Sequence, residues 1–219
     1  MSSPLIGISG SLFNRKVHIS NPTNKYIPVR LSIKKSRHTL NGKEVLAQTD
    51  RVAIFPNKLL LRPGESVDCD LTWLNAFSPF QEQAFQIVTD ELTIPKRRRS
   101  AHRMAVVKRS QKTRVFITPS GTRPKITLKQ FKKIYRRGKP KIELRLVNHG
   151  TAHLALNHIT LNLKVSRFPQ TPITYQEDEF TQVEILPGDT RKVILPWPYT
   201  VPSRRLQNCE LVSVKGPQS

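Results

Sequence analysis

The sequence predicts an all-β protein made of two β-sandwich domains in tandem. Apolar and polar residues alternate over short stretches, as in strands with one buried face, and 17 prolines spread along the chain would interrupt long helices. A weak internal repeat favours two similar domains. The 219 residues are enough for two domains of about 100 residues each.

The first domain is predicted over residues 1–119. Alternation over Val17–Ile19 and Val29–Ile33 indicates two strands, which the turn residues at Asn21-Pro22 separate. A basic stretch over Arg103–Ile117 is typical of one long strand that ends at Thr118-Pro119. We therefore expect the boundary between the domains near residues 119–124.

The second domain is predicted over residues 124–219. Ile142, Leu144 and Leu146 alternate up to Asn148, and a further strand is predicted over His153–Val165. The turn at Asn148 repeats the turn at Asn21 with an offset of 127 residues, and Pro187-Gly188 repeats Pro63-Gly64 with an offset of 124. Two turns that recur at nearly one offset favour two copies of one topology.

The charge is strongly asymmetric. The formal net charge is +22, from 37 Lys and Arg against 15 Asp and Glu, and 18 of the 37 lie between Lys96 and Lys141. Such a surplus predicts attraction to an anionic partner, which could be nucleic acid, a membrane surface or an acidic protein. It is also compatible with a surface that only keeps the protein soluble.

Motifs of catalysis or cofactor binding are absent from the sequence: it holds no HExxH, GxSxG, Walker loop or GxGxxG. We therefore expect no catalytic residues, no metal site and no cofactor. Three histidines close together in sequence are interpreted as turn and surface residues, and the Glu177–Glu179 run as a solvated loop. Cys69 and Cys209 are expected to be two separate buried or half-buried thiols.

The basic strand has two interpretations. Lys108, Arg109, Lys112 and Arg114 could be charges that only protect an exposed sheet edge from pairing. Alternatively, the same edge is offered to a partner that needs a strand, with affinity from main-chain hydrogen bonds and specificity from alternating apolar side chains.

Several segments, taken in order, resemble the periplasmic chaperones of the chaperone–usher pilus pathway, the PapD-like family. The resemblance covers most of the chain, and the order of the segments is more specific than any one of them. They are Ile19–Pro22, Phe55–Ser66, Phe85–Pro95, the basic strand up to Pro119, Ile142–Leu154 and Ile185–Gly188.

The resemblance implies two immunoglobulin-like sandwiches with a cleft between them, in a chaperone that is not an enzyme. Such chaperones bind and stabilise a pilus subunit by donor-strand complementation, and deliver it to an outer-membrane usher for fibre assembly. The strand before the linker is lent to a subunit that lacks its own last strand. A periplasmic location follows, and we expect that the secretory signal has been removed before Met1.

By this resemblance the lent strand is Arg103–Ile117. Its inserted apolar side chains would be Met104 and Val106, or Ala105 and Val107 if the parity differs by one residue.

The resemblance also implies basic residues that anchor the terminal carboxylate of the subunit. Arg114 matches the anchor on this strand, with Lys112 close by, and a guanidinium can bind a carboxylate through two parallel hydrogen bonds. The family has a second anchor on its first strand, where residues 1–10 hold no basic residue, so that only Arg15 or Lys16 could replace it.

Two other functions remain open from the sequence. A nucleic-acid-binding protein would use residues 96–141 to contact phosphates, but only Phe116, Phe131 and Tyr135 could stack on bases in that stretch. In a structural sandwich without strand donation, substitution of Met104 or Val106 would change stability but would not affect the binding of any partner.

Overall fold

The computed structural model describes residues 6–9, 14–93, 106–165, 172–179, 183–199 and 206–216. These residues form β-strands, with a short 3-10 helix at Glu177–Glu179, so the all-β prediction is confirmed. Among them, no helix is long and apolar enough to cross a membrane. The chain divides into two compact units: unit 1 is residues 1–36 and 46–120, and unit 2 is residues 37–45 and 121–219. The sequence did not indicate that residues 37–45 group with unit 2.

The strands up to residue 120 form two sheets. One sheet has the order β1-β9-β8-β3-β4, with β6 also paired to β3, and the other has the order β2-β7-β5. The strands are β1 (Ile6–Ser9), β2 (Asn14–Ser20), β3 (Ile27–His38), β4 (Glu44–Gln48), β5 (Val52–Phe55), β6 (Lys58–Leu61), β7 (Ser66–Trp73), β8 (Gln83–Thr93) and β9 (Val106–Thr118).

The core of unit 1 lies between these two sheets. Alternate residues of β3, β8 and β9 supply one side, including Leu31, Phe85 and Val115, and Leu71 on β7 belongs to the other side. The Trp73 and Phe85 rings meet edge to face at 6.4 Å between centroids, a favoured arrangement of aromatic rings. The alternation in the sequence therefore marks the faces that are buried.

Unit 2 also contains two main sheets, each of three strands, with the orders β10-β11-β16 and β14-β13-β17. A small β12-β15 pair completes the unit. The strand predicted over His153–Val165 is two strands, which Asn157 separates. The strands are β10 (Ile126–Arg136), β11 (Lys139–Asn148), β12 (Leu154–Leu156), β13 (His158–Val165), β14 (Pro172–Gln176), β15 (Val183–Ile185), β16 (Thr190–Pro196) and β17 (Leu206–Lys215).

The core of unit 2 is again formed by alternate residues of facing sheets. Leu144 on β11 and Leu195 on β16 pack with Ile159 and Leu161 on β13, and all four are fully buried. Cys209 is buried in the same core, while Cys69 is buried in the core of unit 1. Both are free thiols, so the prediction of two separate buried cysteines is confirmed.

Asn148 organises a turn at the end of β11. Its side-chain Nδ2 donates to the carbonyl oxygens of Ala152, at 2.8 Å, and Ile185, at 3.0 Å. Its Oδ1 accepts from the backbone N–H groups of Lys125 and Gly150. The residue is fully buried, so one amide satisfies four backbone groups that would otherwise lack partners.

Asn21 makes the same kind of turn in unit 1. Its Nδ2 donates to the carbonyl oxygens of Lys25, Leu61 and Arg62 at 2.7, 3.2 and 2.8 Å, and Gly64 N–H donates to the Asn21 carbonyl at 3.0 Å. In unit 2, Gly188 N–H donates to the Asn148 carbonyl at 2.9 Å. The repeat seen in the sequence is therefore a repeat of geometry.

Candidate functional site

Strand β9 has one sheet edge that is largely open. It pairs with β8 from Val106 to Ile117, with one interruption. On its other side, β1 runs parallel to it only at Val115–Thr118. In the part of the chain that the structure describes, no strand borders this edge from Val106 to Gln111. Such an edge presents backbone N–H and C=O groups that another strand can bind.

A β-bulge at Lys108 interrupts the pairing of β9. Arg109 lies opposite Glu91 while Val107 lies opposite Leu92, so Lys108 is an extra residue on β9. Val107, Lys112 and Arg114 lie opposite Leu92, Val88 and Gln86, which all belong to one face of the regular strand β8. The bulge therefore places Val107 on the same sheet face as Lys112 and Arg114.

The apolar positions of the predicted donor strand are only partly described. The Val107 side chain is 42% exposed, and Val106 lies opposite Thr93. Met104 and Ala105 lie outside the described residues, as does the start of the predicted strand at Arg103. The parity of the inserted side chains stays a prediction.

The C-terminal half of β9 is held firmly in unit 1. Val115 and Ile117 are buried in the core. At the end of the strand, Thr118 Oγ1 donates to Glu82 Oε2 at 2.7 Å, and Glu82 is only 4% exposed. The anchored end and the open edge thus belong to one continuous strand.

A polar row also ties the open half of β9 to its sheet. Asp90 on β8 accepts a hydrogen bond from Arg30 Nη2 at 2.9 Å and from Ser110 Oγ at 2.8 Å. These three residues lie side by side on β3, β8 and β9. The hydrogen bond from Arg30, aided by Ser110, holds the pKa of Asp90 below its usual value although burial opposes this. The sequence pattern does not indicate this row.

The predicted carboxylate anchors lie next to each other. Lys112 is opposite Val88 and Arg114 is opposite Gln86, on one face of β9. Alternate residues on a strand are about 6.8 Å apart, so two long basic side chains can reach the same carboxylate.

The structure does not bring the proposed second anchor to this strand. Arg15 and Lys16 lie on β2, in the other sheet of unit 1. Lys16 Nζ is 3.8 Å from Asp68 Oδ2. The strand beside β9 is β1, which contains no basic residue.

The other candidate residues are scattered. Among the described residues, no group of three or more His, Cys, Asp and Glu is arranged to hold a metal ion. His149 is exposed on a turn, His158 contacts Asn157, and His153 Nε2 is 3.9 Å from Glu184 Oε1. The Glu177–Glu179 run forms the short 3-10 helix, and its Glu179 accepts from Gln176 N–H.

The aromatic residues of the basic stretch offer little surface for stacking. Phe116 is 3% exposed in the sheet of unit 1, and Phe131 packs against the core of unit 2. Tyr135 is 62% exposed, but Lys133 Nζ lies 5.0 Å from the centre of its ring. This arrangement argues against binding of single-stranded nucleic acid by base stacking, which needs exposed aromatic rings.

Comparison with known proteins finds similar structures but no match by sequence. No model of a known protein family matches the sequence, and no curated protein matches it. The class 5 fimbriae chaperone CfaA is similar over 99% of this chain and 97% of that one, with a TM-score of 0.57 and 13% identity.

Two similar structures contain a chaperone bound to a tip protein. A chaperone–tip adhesin complex of CFA/I fimbriae has a TM-score of 0.58 and 12% identity, over 94% of each chain. The CsuC–CsuE chaperone–tip subunit complex of Acinetobacter baumannii has a TM-score of 0.53 and 14% identity, over 86% of this chain and 85% of that one. The fold of this chain is therefore that of the fimbrial chaperones, with two immunoglobulin-like sandwiches, as the sequence predicted.

Proposed function

We propose that this protein is a periplasmic chaperone that binds and stabilises pilus subunits by donor-strand complementation and delivers them to an outer-membrane usher. The observation that carries the proposal is the open edge of β9 at Val106–Gln111, next to an end that is fixed in the core. A strand that is rigid on one side and open on the other can complete the sheet of a partner at low entropic cost.

The fold supports this proposal by analogy. Similar structures are complexes of a chaperone with a tip subunit or a tip adhesin, and the same fold can host other functions, so the site must carry the argument. In this proposal the protein is not an enzyme and uses no cofactor, because binding and release of a strand need only backbone hydrogen bonds and apolar packing.

The first experiment is capture of a subunit. The protein would be exported to a bacterial periplasm together with the pilus subunits that neighbouring genes encode, and purified in high salt. We expect one β-rich subunit to remain bound after size-exclusion chromatography, because high salt screens charges but does not weaken strand pairing and apolar insertion. If only nucleic acid is recovered, and only at low salt, the basic stretch is a phosphate-binding surface and the proposal is wrong.

The anchor residues are tested by charge reversal. Arg114→Glu should abolish capture while the protein still folds, because a second carboxylate would repel the terminal carboxylate of the subunit. Lys58→Glu, which changes an exposed cation of the same unit, should leave capture unchanged. Normal capture by the Arg114 variant would remove it from the anchor.

The parity of the donor strand needs a paired test. Val106→Asp and Val107→Asp place a charge on opposite faces of β9, and only the side chain that enters the apolar core of the partner should be intolerant of charge. We expect one variant to lose capture and the other to retain it. Equal capture by both variants would contradict donation of this part of the strand.

A further inference from the structure

Unit 2 has one strongly basic sheet face. Ile142, Leu144 and Leu146 point from β11 into the core, so the alternate residues of β11 and their neighbours on β10 and β16 lie on the opposite face. We call this surface the basic face. It carries one carboxylate, Glu143, and six cations: Lys132, Arg136, Lys139, Lys141, Arg145 and Lys192.

The charge of the basic face is not neutralised within the protein. In the described part of the chain, none of the six cations forms an ion pair with a carboxylate. Asp178 and Glu179 are at its border, where they line a cavity together with Arg136, Lys141 and Lys192. Even with these two included, the cations outnumber the carboxylates by two to one.

Two other outer sheet faces of the protein do not share this surplus. On the outer face of β2 and β7, His18 Nδ1 is 3.0 Å and Lys16 Nζ is 3.8 Å from the Asp68 carboxylate. On the β13–β14 face, uncharged Thr160 and Thr174 contact each other through their hydroxyls. The outer face of β3, β8 and β9 also has more cations than carboxylates, with Arg30, Lys34, Lys112 and Arg114 around Asp90, but there Arg30 forms an ion pair with Asp90. Among the described residues, the basic face is distinguished by six cations that form no ion pair with a carboxylate.

The side chains of the basic face exclude some partners. Interfaces between proteins are centred on apolar and aromatic residues, yet among the described residues of unit 2 the exposed large apolar side chains are Tyr135, Tyr199 and Val212. The apolar residues of the basic face itself, Ile134, Val147 and Ile194, are only partly exposed. Tyr135 lies on the other face of β10, opposite Pro140, and the other two residues are not on these three strands. The face therefore suits a partner that offers negative charge over a broad area and needs no apolar contact or base stacking.

The shape of the face selects among such partners. Neighbouring strands are about 4.8 Å apart and alternate residues about 6.8 Å apart, so the cations spread over an area of roughly 10 by 20 Å. A lipid bilayer presents its phosphates in a plane and can contact all six cations at once. Single strands of nucleic acid are normally held by exposed aromatic rings, and the described residues of this face include none.

We propose that the basic face binds the surface of bilayers that contain anionic phospholipids, through the lipid phosphates. Each Lys or Arg near such a surface raises the binding constant by about fivefold, so six cations suffice for reversible attachment. The basic face is in unit 2 and the open β9 edge is in unit 1. The proposal does not rest on the function proposed for β9, and each can fail without the other.

The test is sedimentation of the full-length protein with vesicles of phosphatidylcholine, with and without phosphatidylglycerol. We expect binding only to the anionic vesicles, with affinity that falls as salt is raised. The triple variant Lys139→Glu, Lys141→Glu, Lys192→Glu should lose more than about 100-fold in affinity, because removal of three cations alone accounts for about that factor. The same three changes to Gln provide a milder variant if the charge reversals impair folding.

The control variant has the same net charge as the triple Glu variant, but its three charge reversals lie in unit 1. Lys25→Glu, Arg51→Glu and Lys58→Glu change three exposed cations of unit 1 and should leave vesicle binding within a few fold of the original. Equal losses in both triple variants would mean that net charge alone drives binding, which would overturn the proposal. It would also be overturned if the protein does not bind anionic vesicles, or if it binds a DNA oligonucleotide more tightly through the same face.

Discussion

Replacing Asn148 with alanine should destabilise unit 2 and spare unit 1. The Asn148 amide makes four hydrogen bonds to backbone groups. Alanine leaves the carbonyls of Ala152 and Ile185 buried without a donor, while the two partly buried N–H groups can be reached by water. At about 1–1.5 kcal/mol for each buried group and about 0.5–1 kcal/mol for each of the others, the loss is about 3–5 kcal/mol. This is a large part of the stability of a domain, which is about 5–15 kcal/mol.

The two tryptophans allow each unit to be followed separately. Trp73 is buried in unit 1 and Trp197 in unit 2, and they are the only tryptophans of the sequence. In a Trp73→Phe background, urea unfolding monitored by fluorescence reports on unit 2. With a typical slope for a unit of this size, Asn148→Ala should lower the midpoint by about 2–3 M urea.

The matched variant is Asn21→Ala in a Trp197→Phe background, which should destabilise unit 1 by a similar amount because Asn21 holds the equivalent turn. Asn148→Asp should be worse than alanine, since it sets a carboxylate against two carbonyl oxygens. A loss below about 1 kcal/mol for Asn148→Ala would refute the argument, as would an equal shift of the Trp73 transition.

Three further predictions concern single residues. Asp90→Asn should lower the free energy of unfolding by about 1–2 kcal/mol at neutral pH. Because the pKa of Asp90 is lowered in the folded protein, the carboxylate stabilises the fold above about pH 4, and this stabilisation is lost as the pH falls through the folded pKa. The urea unfolding curves of the two proteins should therefore converge in acid. Gly150→Ala should destabilise unit 2 by about 1–3 kcal/mol in the same urea assay, because a Cβ there would overlap the backbone of Arg123 and Lys125; unchanged stability would contradict the packing. Cys69 and Cys209 should not react with a thiol reagent until the protein unfolds, because burial raises the pKa of both, that of Cys209 to about 12; rapid reaction of the native protein would contradict their burial.

The fold was largely predictable because its signals are local. Alternation over Val29–Ile33 and Ile142–Leu146 directly records which side chains face the core. The repeat of Asn21 and Asn148 was visible because both turns need a side-chain amide and a glycine about 40 residues later. The residues of the candidate site were named from a resemblance, and their roles stay predictions.

What the sequence did not reveal depends on contacts between distant strands. Asp90 meets Arg30 and Ser110 through sheet pairing, across 60 and 20 residues of sequence. The bulge at Lys108 exists only relative to β8. The basic stretch at 96–141 was evident in the sequence, but Arg145 and Lys192 join its second half on one sheet face only because β10, β11 and β16 pair.

The bulge at Lys108 also bears on whether two copies of this protein can associate through their open edges. A regular edge strand is a template for its own copy, and exposed edges promote dimerisation and aggregation. Two β9 strands running antiparallel would meet an interruption in the hydrogen-bond ladder in each copy. Arg109 and Lys112 would also bring like charges together across the pair. An edge built in this way stays open to a different strand of regular geometry while it resists pairing with itself.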